Sequence, residues 1–124
     1  MNNLKVLIID DEELIRESLC DFLVDLDYTV GLSSSGEEGL HEIKTGDYDI
    51  AIIDMTLPDM NGEEFIEKAH VLNQKIKFIV HTGYTGYSPP ENLIKIGITN
   101  KSVLIKPVIN MQNIITLIEE LVKT

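Results

Sequence analysis

Four times along this chain a short apolar run, about the length of a strand, stops dead at a polar residue. Leu4–Ile9 runs into Asp10-Asp11, Asp49–Ile53 into Asp54, Ile76–His81 into Thr82, and Val103–Ile105 into Lys106-Pro107. Runs that are apolar at consecutive positions suit strands buried on both faces. Tyr28–Ser33 is weaker and more polar, as an edge strand would be. Between the runs, apolar residues recur at helical steps. Ile15, Leu19, Phe22 and Leu26 mark a first helix, and Glu37–Lys44 is a second, closed by Gly46. Glu63–Leu72 follows a Pro58/Gly62 turn, and Pro89 or Pro90 opens a helix reaching about Ile96. Ile114, Ile115, Ile118, Leu121 and Val122 mark the last. Strand and helix alternating in this way predict an α/β fold, a doubly wound five-stranded parallel sheet with five helices. No repeat, low-complexity tract or interior linker divides residues 1–124, so one domain is expected.

The carboxyl ends of parallel strands lie along one edge of their sheet, where open α/β sheets bind ligands. Asp10, Asp11, Asp54, Thr82 and Lys106 should therefore meet in one cleft. Taken singly each has an ordinary explanation: helix cap, turn former, loop hydroxyl, solvated lysine. Taken together they resist it. Packed carboxylates repel, and a hard divalent cation with oxygen ligands relieves them. A lysine and a hydroxyl can hold phosphoryl oxygens, while one carboxylate attacks phosphorus.

Composition narrows the classes further. The net charge of −11 repels phosphate backbones, so direct nucleic-acid binding is not expected. No apolar run approaches the roughly 18–20 residues that span a bilayer, so membrane insertion is not expected. The lone Cys20 fits a reducing cytoplasm and reads as a small buried hydrophobe. His41, His70 and His81 fall on separate elements and read as structural or surface residues rather than a metal set. No nucleophile turn of a Ser-His-Asp hydrolase is present.

Ile8–Glu13 (IIDDEE), Asp54–Gly62 (DMTLPDMNG), Thr82-Gly83 and Lys106-Pro107 together give the chain its family likeness. It resembles, over essentially its whole length, the chemotaxis-regulator-like receiver domain of bacterial two-component response regulators. The resemblance implies the flavodoxin-like strand order 2-1-3-4-5, which periodicity does not supply. It implies that Asp54 is the phosphoacceptor, taking its group from a sensor histidine kinase or a histidine phosphotransfer protein. Mg2+, or Mn2+ in its place, would be ligated by Asp11, Asp54 and the Thr56 backbone carbonyl, with Asp10 acting through a water. Lys106 would pair with phosphoryl oxygens and Thr82 would move to donate to one. The Lys106-Pro107 bond would be cis. Thr56 and Tyr84 occupy the positions that tune the lifetime of the modified state, with Tyr84 as a partial shield against water. Such a domain is no enzyme acting on a separate substrate; it assists its own phosphorylation and dephosphorylation.

The chain also departs from that pattern. Val103 stands where many receivers carry Tyr or Phe, so the aromatic that usually follows the threonine is absent. The stretch between Gly97 and Lys106 is about two residues longer than the common pattern of the family. The loop Thr82–Pro90, with Gly83, Gly86, Tyr84 and Tyr87, reads as a mobile flap. The output face implied by the resemblance includes parts of Leu93–Ile96, Lys101–Val103 and Asn113–Leu117, with Leu117 a candidate exposed contact or a core margin. The output protein or domain is not specified by these residues. A stand-alone regulator and a receiver within a longer chain read alike, with Met1 tilting towards the former. Two rivals stand against this reading: a receiver-like scaffold that is not phosphorylated, and a flavodoxin-like FMN carrier. The second needs a phosphate-binding loop where this chain has an acidic one.

Overall fold

Val, Ile and Leu at successive positions leave a strand no polar face, so both sides of the sheet must be covered. At roughly 2 kcal/mol per buried Leu or Ile, exposing one face would exceed the whole net stability of a domain this size. The computed structural model describes residues 3–108 and 110–123, leaving Met1 outside. Its strands are β1 (Lys5–Ile9), β2 (Thr29–Ser33), β3 (Ile50–Asp54), β4 (Lys77–Thr82) and β5 (Val103–Ile105). They form one parallel sheet in the order β2-β1-β3-β4-β5, as the resemblance implied. Asp54 and Thr82 are the last residues of their strands rather than the first beyond them.

The helices are α1 (Glu13–Asp25), α2 (Gly36–Thr45), α3 (Gly62–Leu72), α4 (Glu91–Ile94) and α5 (Gln112–Val122). Alternate side chains of each strand feed opposite cores. Leu7, Ile9, Ala51, Ile53 and Val80 pack with Phe65 and Ile66 of α3 and Leu93 of α4. Val6, Ile8, Ile50, Ile52 and Ile79 pack with Leu19 and Leu23 of α1 and Ile114 and Ile118 of α5. No helix is long and apolar enough to cross a membrane among the described residues.

Several expectations are corrected. Leu26 falls just past α1 as its cap and is exposed, so the buried stripe is Leu19 and Leu23. Cys20 is only half-buried. Gly46 does close α2, with an extended backbone, φ −110°, and its N–H donates to the Glu42 carbonyl at 2.8 Å. Regular α4 ends at Ile94, short of Ile96, because its last turn tightens. The N–H groups of Ile96 and Gly97 reach back only three residues, to Leu93 and Ile94, and that of Ile98 returns to Leu93. Gly97 makes this closure possible at φ +112°. The extra length before β5 is taken up by a 3-10 turn, Asn100–Ser102, which Thr99 caps. Leu117 is buried, so the core-margin reading holds and the exposed one does not.

The loop from β3 to α3 is anchored at both ends of its span. Leu57 is buried, and Asn61 Oδ1 accepts from the Glu64 N–H at 2.8 Å to start α3. Asp59 reaches across to α2, its two carboxylate oxygens accepting from the N–H groups of Gly36 (2.9 Å) and Glu37 (2.8 Å). Two donors at a helix start are thus satisfied by a residue of the neighbouring loop. Asp59→Ala should lower the unfolding free energy by about 1 kcal/mol in urea titration. An unchanged midpoint would show that this tie is not formed in solution.

Candidate functional site

Strand register assembles the site. Ile9 sits opposite Ile53, so the residues that follow, Asp10 and Asp54, emerge side by side. Asp54 pairs with His81, and Thr82 with Ile105, which brings Lys106 to the same edge. The Lys106 N–H donates to the Thr82 carbonyl at 2.8 Å, and the Lys106-Pro107 bond is cis, as expected.

The Lys106 ammonium lies 2.9 Å from Asp10 Oδ2, 3.1 Å from Glu12 Oε1 and 3.4 Å from Asp54 Oδ2. Asp10, Asp11, Glu12 and Asp54 each offer an oxygen within 4.8 Å of the others. Asp10 and Asp54 are buried, while Asp11 and Glu12 face solvent. Asp10 is held on its other side: Oδ1 accepts the Glu12 N–H at 2.9 Å, and its carbonyl accepts Arg16 Nη1 at 2.7 Å. Asp10 therefore does tie down the start of α1, alongside its place in the cluster.

Burial pushes the Asp54 carboxyl above its usual range, although Lys106 and the Thr56 N–H, 3.3 Å from Oδ1, pull the other way. Burial also opposes charge on Lys106, but Asp10, Glu12 and Asp54 outweigh it and raise the pKa of the ammonium. Three carboxylates of the four-acid cluster thus share one lysine at the point of contact. Asp10 Oδ2 has that ion pair but no aligned hydrogen bond, despite being buried. An oxygen-only donor set with surplus negative charge fits a hard divalent cation.

The remaining predicted residues are close by. Thr82 is buried, and its Oγ1 accepts the Tyr84 N–H at 3.2 Å. Thr56, Thr82 and Tyr84 line one cleft of about 290 Å³. Tyr84 is 66% exposed, so it flanks the cleft rather than sealing it. Tyr87, by contrast, is half-buried and donates its hydroxyl to Glu63 Oε2 at 3.2 Å. The acidic group comprises carboxylates alone among the described residues.

Glu12 was not foreseen, though it stands inside the IIDDEE motif beside Asp11. Its adjacency was visible, but its turn back towards Lys106 depends on the angle at which α1 leaves the strand. His81 was expected to be structural, and it is buried with no hydrogen-bond partner on either ring nitrogen. Burial, and then the Lys106 charge, lower its pKa from 6.5 to about 4, so the imidazole is neutral.

Two stability effects follow. Because the Asp54 pKa is raised, its charged form is the one folding penalises. The stability associated with this group is complete below the ordinary carboxylate range and is lost as pH rises through the elevated folded value. Asp54→Asn, which removes the buried charge, should therefore stabilise the fold in denaturant titration at neutral pH. A destabilised variant would mean that the Lys106 pair outweighs burial. His81 has the opposite slope with pH: its depressed pKa removes stability as pH falls from 6.5 towards about 4. His81→Leu should abolish roughly 3 kcal/mol of that acid-induced loss.

The sequence matches the response regulator receiver domain family over residues 6–119. It is 34% identical over 79 residues to the transcriptional regulatory protein CusR of Escherichia coli K12, a match covering 64% of this chain and 35% of CusR. It is 32% identical over 83 residues to the cell cycle response regulator CtrA of Brucella ovis, covering 67% of this chain and 36% of CtrA. The chain thus spans about a third of the length of these curated relatives. A CheY-like receiver domain from Methanospirillum hungatei superposes with TM-score 0.80 at 29% identity, covering 98% of this chain and 96% of that one.

Proposed function

The chain belongs to the response regulator receiver family, and we propose that Asp54 is the carboxylate through which it accepts a phosphoryl group. A receiver domain is the signalling domain of two-component phosphorelays. The proposal concerns which of this chain's residues do that work and with what metal. The observation that carries it is the position of Asp54: buried at the end of β3, with the Lys106 ammonium at 3.4 Å and three further carboxylates beside it.

The donor is a phosphohistidine on a sensor histidine kinase or histidine phosphotransfer protein. An Asp54 oxygen forms the new P–O bond as the P–N bond to the donor imidazole breaks and the imidazole takes up a proton. Lys106 neutralises phosphoryl oxygens, and Thr82 turns its hydroxyl to donate to one. Asp11, Asp54 and the Thr56 carbonyl would hold Mg2+ or Mn2+, with Asp10 acting through a water. Such an ion, when bound, supplies charge neutralisation at the phosphoryl oxygens. Residues 1–124 act as one cytoplasmic receiver that promotes its own modification and release rather than turning over a separate substrate. The modified state is passed on through contact with an output protein or domain. The acidic loop after β1 supports this reading over flavin phosphate binding, because Asp10, Asp11 and Glu12 repel a phosphate that comes without a cation.

Incubation with a small phosphodonor and Mg2+ should add the mass of one phosphoryl group to the wild type and none to Asp54→Asn. A gain that survives in Asp54→Asn would move the acceptor elsewhere. Asp11→Asn should weaken Mg2+ binding at least about tenfold by calorimetric titration. Equal affinities would remove Asp11 from the ligand set. Tyr84→Ala should speed loss of the phosphoryl group severalfold, and an unchanged rate would show that the ring gives no shield.

A further inference from the structure

Thr82 is connected to the rest of the molecule through three consecutive hydrogen bonds that lead away from β5. Its Oγ1 accepts the Tyr84 N–H at 3.2 Å, and the Tyr84 carbonyl accepts the Tyr87 N–H at 3.2 Å. The Tyr87 hydroxyl in turn donates to Glu63 Oε2 at 3.2 Å, in the first turn of α3. That turn is fixed to the loop carrying Asp54, since the Gly62 N–H donates to the Met55 carbonyl at 3.0 Å. The close approach at Gly62 leaves no room for a side chain, because a Cβ there would lie 2.7 Å from the Met55 Cα. A closed circuit therefore runs from Asp54 through Met55, Gly62, Glu63, Tyr87 and Tyr84 to Thr82.

The ring of Tyr87 is half-buried at the margin of the same core that Val103 borders. Val103 itself has no ring to move and no polar group to exchange. Gly83 is unobstructed on its side-chain face, with nothing within 4 Å, so the loop can pivot between Thr82 and Tyr84. Resting on the reading of Thr82 given above, we propose that Tyr87 is the aromatic that reports the state of Asp54, and that it does so at the first turn of α3 rather than at β5. A Thr82 hydroxyl drawn towards a phosphoryl oxygen either drags the Tyr84 N–H with it or releases it. Both shift the Tyr84–Tyr87 turn and part the Tyr87 hydroxyl from Glu63. The surface that changes is the rim formed by Tyr84, Tyr87 and Glu63.

The chain holds four tyrosines, so uniform 3-fluorotyrosine labelling gives resonances that Tyr84→Phe and Tyr87→Phe can assign. Spectra are taken with a small phosphodonor and Mg2+, and phosphoryl occupancy is followed by mass. The Tyr87 resonance should move on phosphorylation of the wild type and stay put in Thr82→Ala at matched occupancy. Amide exchange over residues 63–66 should change roughly fivefold on phosphorylation, the weight of one hydrogen bond, and that change should vanish in Tyr87→Phe. Glu63→Ala, which keeps the ring, should abolish it too and covers the case of a poorly folded Tyr87 variant. A fully phosphorylated wild type with an unmoved Tyr87 resonance overturns this inference alone, as does a shift that persists in Thr82→Ala. No mass gain at all overturns the assignment of Asp54, and the inference with it.

Discussion

Among the described residues, Lys106 is the cation that pairs with the carboxylates of both buried acids at the sheet edge, and the geometry of the site hangs on it. Carboxylates gathered within 4.8 Å repel by roughly 1 to 3 kcal/mol per pair, depending on exposure. The ammonium offsets this by lying within 3.4 Å of three of them at once. Its backbone is fixed by the bond to the Thr82 carbonyl, which continues the β4–β5 ladder by one step. The lysine is thus placed by the sheet, and its reach to Asp10 is placed by the neighbouring strand. Register, more than any local turn, decides which charges meet.

The loops around this edge are braced by side-chain ties to neighbouring backbone. Asp59 ties the loop after Asp54 to α2, Asn61 starts α3, and Asp10 itself holds the Glu12 N–H and Arg16. Such ties hold functional carboxylates in position better than a solvated loop could. They also explain why Asp10 is not a spare acid: one oxygen and its carbonyl are committed to α1, leaving Oδ2 to the cluster.

Most of this was legible from apolar runs and their ends. Period and strand length are local signals, and the carboxyl-end rule turns them into a shared edge, so Asp10, Asp54, Thr82 and Lys106 could be brought together before any coordinates. The strand order came from the family motifs, since periodicity does not encode which strands are neighbours. What stayed hidden depends on angles between elements. Glu12 bends back to Lys106 only because α1 starts where it does. Leu117 is buried because it packs into the core that α5 shares with α1 and the sheet, a contact its place at the edge of the stripe left open. The shortening of α4 needed the closure at Gly97, where a glycine permits a conformation without requiring it. The Tyr87–Glu63 bond joins residues far apart in sequence with no periodicity linking them.

Asp54 is a carboxylate that the fold keeps charged against the preference of its surroundings. Burial raises its pKa while Lys106 and the Thr56 N–H only partly compensate, so the group is less stable here than it would be in water. A domain can carry such a cost when the core beneath is rigid, and Ile50, Ala51, Ile52 and Ile53 are buried without a gap directly before it. The same imbalance makes the site responsive. A divalent cation relieves it directly, and modification changes the charge that Lys106 must share among Asp10, Glu12 and Asp54. On the proposed phosphorylation of Asp54, one ammonium would meet more negative charge at the same distances, so its contacts would be redistributed and the groups bonded nearby, Thr82 first among them, would follow.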